Sequence, residues 1–281
     1  MIRSIFDTIG SPVLIGVFIL LFAAEIVSQL RNRTQSKLKR MVINFMLSLP
    51  AFTLLRLLLI PAMVWLAGKN EHWHAGLSYL YTAPVWVKGA LAFLLLDYTN
   101  YLWHILNHKL PLLWRFHLVH HVDLDLDVTT ALRFHFGEII GSVLFRGTAV
   151  LLAGASPLVV LVYEIVFEAA TQFHHSNFRL PAGLERVLNK IVVTPRMHGI
   201  HHSVYRNETD SNYSVIFSWW DKLHHTFRLH TPQHTITIGV PAYHDPQELT
   251  IGYLLKLPFT RIRKWDKKYE RRGEDSPEEN H

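Results

Sequence analysis

Residues 84–108 read PVWVKGALAFLLLDYTNYLWHILNH. The run 84–106 is apolar over a length that crosses about 30 Å of hydrocarbon as a helix. It does not end in a neutral cap. It runs into His104 and His108, four residues apart and therefore on one helical face. Pro111 stops the helix soon after. Asp97 lies seven residues before His104, on the same face two turns back. A carboxylate there is costly in lipid unless partnered, and it is placed to orient an imidazole through its second ring nitrogen. The stretch reads as a membrane helix that delivers a histidine pair to one bilayer surface.

Similar runs lie on both sides of it. Residues 12–30 form a first span, read as a retained helix rather than a cleaved leader. Residues 41–67 form a second, interrupted by Pro50, Arg56 and Pro61. Residues 139–171 hold two more, split at Gly154-Ala155-Ser156-Pro157 and each just long enough to cross. They read as two crossings or as a re-entrant hairpin. The expected fold is all-α: an integral membrane bundle of about four to five helices, including the hairpin, with a helical histidine-rich cap. Residues 1–83 would supply N-terminal membrane helices, 84–230 a catalytic core, and 231–281 a C-terminal segment with a charged tail.

Composition agrees with a lipid setting. Of 281 residues 49% are hydrophobic, and the formal charge is +6. A basic chain with this apolar load fits anionic lipid better than nucleic acid. There is no cysteine, which removes thiolate metal sites and thiol nucleophiles. The segment 31–40, RNRTQSKLKR, is rich in Lys and Arg and so is placed in the cytoplasm. The loop at 68–83 is poor in them and is placed outside. Counting crossings then brings every histidine cluster to the cytoplasmic face.

Two further stretches carry the chemistry. RFHLVHHVD supplies His117, His120 and His121, and TPRMHGIHHS supplies His198, His201 and His202. Spacings of three and four put each triplet on one stripe. Thr194-Pro195 starts the second helix at its N-cap and first position. Of the adjacent pair His174-His175, one can face the cluster, and His175 is favoured. Nine imidazoles exceed the four to six ligands of one transition metal, so they imply two ions. Asp97, Asp123, His135, His174, Asp210, Asp221, His224 and His225 are candidates to support that set from behind. Asp123, Asp125 and Asp127 otherwise make a solvated acidic turn.

H-x-x-x-H at 104–108 and H-x-x-H-H at 117–121 and 198–202 resemble the histidine boxes of the fatty acid hydroxylase or sterol desaturase superfamily, in its bacterial-type members. FHHSNFRLP at 173–181, VTPRMHGIHHS at 193–203, ETDSNYSVIFSWWDKL at 208–223 and the TTALRFH run at 129–135 resemble it too. The resemblance covers about residues 90–230. It implies a membrane oxidase in which His104, His108, His117, His120, His121, His198, His201 and His202, with His175 between boxes, hold two iron ions. Such proteins use O2 and two external electrons to hydroxylate, desaturate or demethylate an unactivated C–H bond of a lipid. The electrons would come from a separate reductase, ferredoxin or cytochrome b5-like protein. The membrane would be a bacterial inner membrane, or the endoplasmic reticulum in a eukaryote. Two departures stand out. WDKLHHTF puts His224-His225 where Phe-Gly is common, and Thr171 stands where some members place a further histidine. Imidazole serves zinc as well as iron. Desaturation remains open beside hydroxylation. A metal transporter is the rival from another class, kept open by Asp97, Glu164 and Glu168.

Overall fold

The computed structural model describes residues 6–272, so the end of the charged tail, 273–281, lies outside the described residues. The described part is helical, with no strand and only isolated bridges such as Gln29 with Phe178 and Val192 with Phe217. A π-helical turn at Phe6–Gly10 leads into α1, Ser11–Val27. Then follow α2, Lys37–Leu54, and α3, Ile60–Trp73, joined by a second π-helical turn at Leu55–Leu59. Pro50 lies inside α2 and Pro61 just after the wider turn, and each lacks an N–H for the helical ladder. After these come α4, Val85–Lys109; α5, Pro111–His121; α6, Phe136–Ala153; and α7, Pro157–His175. Five short helices complete the described part: α8, Ala182–Leu188; α9, Pro195–His201; α10, Arg206–Thr209; α11, Trp219–Leu223; and α12, Ile251–Lys256. Proline occupies the first or second position of α5, α7 and α9, where its missing N–H has no helical partner to lose.

Three helical stretches are long and apolar enough to cross a membrane: Phe6–Val27, Lys37–Tyr79 and Phe136–Ala153. The helices α4 and α7 are long enough but less apolar, because both turn polar side chains inward. Asp97 and Asn100 are buried on α4, and Glu164, Gln172, His174 and His175 on α7. The stretch Lys37–Tyr79 has 43 residues. At 1.5 Å per residue that is about twice the hydrocarbon thickness. Its beginning therefore belongs to the cap. Arg40 and Asn44 reach the buried side chains of Asp123 and Thr129 there. The sequence reading started this span at 41; the helix itself starts at Lys37.

The polypeptide runs back and forth between two ends. Helices α4 and α7 end at the histidines, and α6 begins there. At the other end Asn70 of α3 donates to the carbonyl of Val150 at 2.8 Å, and Ser78 to that of Gly154 at 2.7 Å. The 139–171 region is thus two antiparallel helices of 18 and 19 residues, each running from one end to the other. Large apolar side chains face outward around this body, among them Ile19, Leu20, Phe52, Leu57, Trp65 and Leu144. Trp73, Tyr81 and Trp86 are exposed at the end away from the histidines, with Lys69 over Trp73 and Lys88 over Tyr81. That is the aromatic and basic border expected at a membrane surface.

The far corner depends on two glycines. Gly154 closes α6 at φ +65°, and Gly76 lies against it at φ +93°. A Cβ on Gly76 would stand 2.4 Å from the Gly154 Cα. Gly76→Ala should therefore lower stability by roughly 1–3 kcal/mol or more, from an unfavourable φ combined with a backbone clash. Gly183→Ala, where nothing lies within 4 Å, should be neutral or slightly stabilising. Thermal unfolding in detergent separates the two; equal midpoints would contradict the packing described.

Candidate metal centre

A corner of one residue, Leu110, turns α4 into α5. It sets His104 and His108 opposite His117, His120 and His121. The end of α7 brings in His175, and α9 brings His198 and His201, with His202 at its C-cap. Thr194 occupies the N-cap position of α9 as expected, but its hydroxyl makes no capping bond and is buried without a partner.

The imidazoles gather in two groups. His104, His108, His117, His121 and His201 form one, and His120, His175, His198 and His202 the other; within each, the nitrogens lie within 4.8 Å of one another. One edge of most rings is anchored outward. The Nδ1 of His104 donates to the carbonyl of Tyr213 at 2.8 Å, that of His201 to Ser211 at 2.7 Å, that of His120 to Arg133 at 3.1 Å and that of His175 to Thr171 at 2.7 Å. The Nδ1 of His117 meets Glu138 Oε1 at 3.2 Å. Such anchoring fixes tautomer and ring direction.

The other edges meet inside. His120 and His175 bring their Nε2 atoms to 3.0 Å, His175 and His198 to 2.9 Å, and His198 and His202 to 3.1 Å. A carbonyl only accepts, so Nδ1 carries the proton in both His120 and His175. Their neutral Nε2 atoms are then facing lone pairs with no hydrogen between them. In the other group, the Nε2 atoms of His104, His108 and His201 are buried with no hydrogen-bond partner. Two metal–nitrogen bonds of about 2.1 Å at a right angle span about 3.0 Å. A cation is what this donor set lacks, and the residues present fit one in each group.

Electrostatics favour the same state. Burial first, then mutual repulsion among the rings, holds His120, His121, His198, His201 and His202 well below the usual histidine range. They are neutral and free to donate lone pairs at neutral pH. The sign of the pH dependence follows. The unfolded chain takes up protons near about pH 6.5 and the folded one does not. Stability is fully present above that value and is lost as pH falls through it. The metal-free protein should show a falling unfolding temperature between about pH 7.5 and 5.5. A flat profile would show that the rings are not buried as neutral bases.

The supporting residues are distributed differently from the sequence reading. Asp97 orients no imidazole: it accepts from the Trp220 indole at 2.7 Å and from the Phe217 N–H at 3.2 Å. Asp123 does not touch a histidine either. It takes the Arg40 guanidinium with both oxygens at 2.8 Å and accepts from Thr130 at 3.0 Å. Burial would raise its carboxyl, but Arg40 and Arg133 prevail and hold it below the usual carboxylate range. Asp125 and Asp127 are buried as well, so the acidic turn is not solvated. His135 caps α6 by accepting from Gly137 at 3.0 Å and donates to the Leu255 carbonyl at 3.1 Å. His174 packs behind the cluster, its ring 4.0 Å from that of His198, and donates to Val215. Asp210 comes within 3.8 Å of His108 Nδ1 and pairs with Lys109 at 2.7 Å. Asp221 acts at one remove. It accepts from the N–H groups of Tyr213 and Ser214 and so holds the loop whose carbonyl anchors His104. His224 stacks on Tyr98 and Tyr101, and His225 sits at φ 58° in a turn; neither joins the cluster.

Three contributors were missed. Glu138, in the first turn of α6, meets His117; the sole signal was its place three residues after His135 in RFHFGE. Arg40 and Arg31 were read only as part of the basic segment that sets orientation, and both are 6% exposed. Arg31 donates to the Pro195 carbonyl at the start of α9, and Arg40 ties α2 to the turn after α5.

A cavity of about 120 Å³ lies between α2, α4, α6 and α7 and stops short of the cluster at Phe134, Glu138 and Thr171. Phe52 and Leu55 line its lipid side, and Phe134, Glu138 and Thr171 its histidine side. The Phe134 ring stacks on that of His120 at 5.1 Å.

Helices of membrane length and buried, inward-turned imidazoles make the described part an all-helical, membrane-type bundle with a histidine cluster that could hold metal. Residues 89–226 match the family model for fatty acid hydroxylases. It is 30% identical to a cholesterol 25-hydroxylase-like protein of Danio rerio, over 54% of this chain and 62% of that protein. It is 30% identical to an ornithine lipid hydroxylase of Rhizobium tropici, over 63% of this chain and 52% of the relative. A human alkylglycerol monooxygenase is 32% identical, over 48% of this chain and 29% of its own length. The matches thus leave much of each relative uncovered. No solved structure matches the chain.

Proposed function

We propose that this chain is a membrane-bound, O2-dependent oxidase that hydroxylates an unactivated C–H bond of a lipid. The observation that carries the reading is the pair of imidazole groups, each converging within 4.8 Å, near a cavity enclosed by the long helices. In it, residues 84–230 act as the catalytic core, 1–83 as supporting membrane helices, and 231–281 as a segment on the cap side. His104, His108, His117, His121 and His201 would hold one iron, and His120, His175, His198 and His202 the other. Two bound irons would supply O2 activation, using electrons from a separate donor protein.

The chain's own residues supply position and dryness. The carbonyls of Tyr213, Ser211, Arg133 and Thr171 keep protons on the Nδ1 atoms of His104, His201, His120 and His175, which leaves the Nε2 atoms of these four rings free to donate lone pairs. Phe134 separates the cavity from His120 and limits how a chain can approach. Burial of the rings excludes bulk water, which would otherwise compete for open positions. The catalytic face is read as cytoplasmic. A desaturase would need the same centre and remains the second outcome.

The test is comparative lipidomics of cells with and without the chain, beside His201→Ala. One lipid gaining oxygen only with the unaltered chain supports hydroxylation. A lipid gaining a double bond supports desaturation. Identical lipids in all three contradict the oxidase reading.

A further inference from the structure

The cavity is not uniformly greasy, and this decides what it can hold. On α6, Glu138, Ser142 and Arg146 stand at successive four-residue steps and all line it. On α7, Glu168 and Thr171 line it from the opposite wall. Arg146, one turn beyond Ser142, is ion-paired with the buried Glu164. Its guanidinium also lies over the Phe167 ring at 5.0 Å, so its charge is taken up. Glu164 keeps a second oxygen, buried and without a partner. Glu168, one turn nearer the histidines, has no hydrogen bond or ion pair among the described residues. One arginine therefore faces two carboxyl groups, and the cavity holds acceptor capacity that the protein does not satisfy. A carboxyl group inside a membrane bundle without a partner is costly, and such positions mark ligand sites.

We propose that Glu168, beside the Arg146–Glu164 pair, receives a hydrogen-bond-donating polar group, a hydroxyl or an ammonium, at one end of a single-chain amphiphile. The inference rests on the oxidase reading for its consequence but not for the site itself. Glu168 lies seven residues before His175, about 10 Å along α7. A ligand anchored at Glu168 lays its apolar chain along Phe134 toward the histidines. The carbon presented there lies at a set distance from the polar group. The chemistry thus selects an amphiphile with a donating head and disfavours an anionic one, since an added carboxylate would meet Glu168 and Glu138 with Arg146 already paired.

The test uses the full chain, metal-free and in detergent, with dodecanol, dodecylamine, dodecanoic acid and dodecane as probes. Binding is read from thermal stabilisation at matched mole fraction in the micelle. The alcohol and the amine should bind at least about tenfold more tightly than dodecane, as one charge-assisted hydrogen bond predicts, with dodecanoic acid weakest. Glu168→Leu should bring alcohol and amine down to dodecane. Glu168→Gln, which strands no partner and keeps the shape, should retain the alcohol and lose the amine's advantage. Equal binding of all probes, preference for dodecanoic acid, or an amine preference that survives Glu168→Gln would overturn the proposal. The assay needs neither iron nor turnover. Head-group preference without oxidised lipid in cells would overturn the oxidase reading alone. Oxidised lipid without head-group preference would overturn this site alone.

Discussion

Replacing His175 by alanine should reduce bound metal from about two ions per chain to about one and abolish lipid oxidation. His175 is central to the group of four, with its Nε2 at 3.0 Å from His120 and 2.9 Å from His198. Removing it leaves three imidazoles and a gap lined by their lone pairs. Even outer partners of metal ligands typically cost 10–100-fold on removal, so a ligand should cost at least about 100-fold in activity. His135→Ala is the matched control. That ring is buried, but it bonds Gly137 and Leu255, outside both groups. Its loss should cost about 1 kcal/mol of stability through the cap and leave metal content unchanged. Equal metal loss in the two variants would mean that general unfolding, not ligation, is being read.

The second large effect is expected at Arg40. Its guanidinium bonds Asp123 at 2.8 Å, Asp127 at 2.6 Å and the Asp125 carbonyl at 2.9 Å, all out of water. Arg40→Leu strands two buried carboxylates. Breaking a buried pair from one side costs about 3–5 kcal/mol. Arg40→Lys should recover only part of this, because an ammonium cannot make the planar double contact with Asp123. The damage should spread to metal binding. Asp123 and Arg133 lie in the same network, and the Arg133 carbonyl anchors His120. Unfolding midpoints of the three proteins, measured with metal content, test this. A neutral Arg40→Leu would show that the network does not hold the cap.

The histidine set was legible because its spacing is local. Three and four residues on a helix mean one face whatever the rest of the fold does. Choosing His175 over His174 rested on the same rule, since neighbours on a helix diverge, and the structure turns His174 behind the cluster. Asp97 shows where spacing misleads. Seven residues restore the face but also separate the groups by about 10 Å along the axis, beyond hydrogen-bond reach. The Trp220 indole was nearer in space and invisible in sequence. Arg40 and Asp123 lie 83 positions apart. No local pattern announces that pair, and a basic segment beside a span reads by default as a surface marker. Glu138 was unreadable for the same reason, since its contact with His117 depends on how α6 returns over α5. Hydropathy found the long helices, but it could not show that one side of the first turns of α2 is turned to buried polar partners through Arg40 and Asn44.

The most direct measurement is metal analysis of the purified, iron-loaded protein, combined with X-ray absorption at the iron edge. The account predicts about two irons per chain, each surrounded mainly by imidazole nitrogen at about 2.1 Å. A stoichiometry of one or none after loading, or a first shell made of oxygen alone, would contradict it.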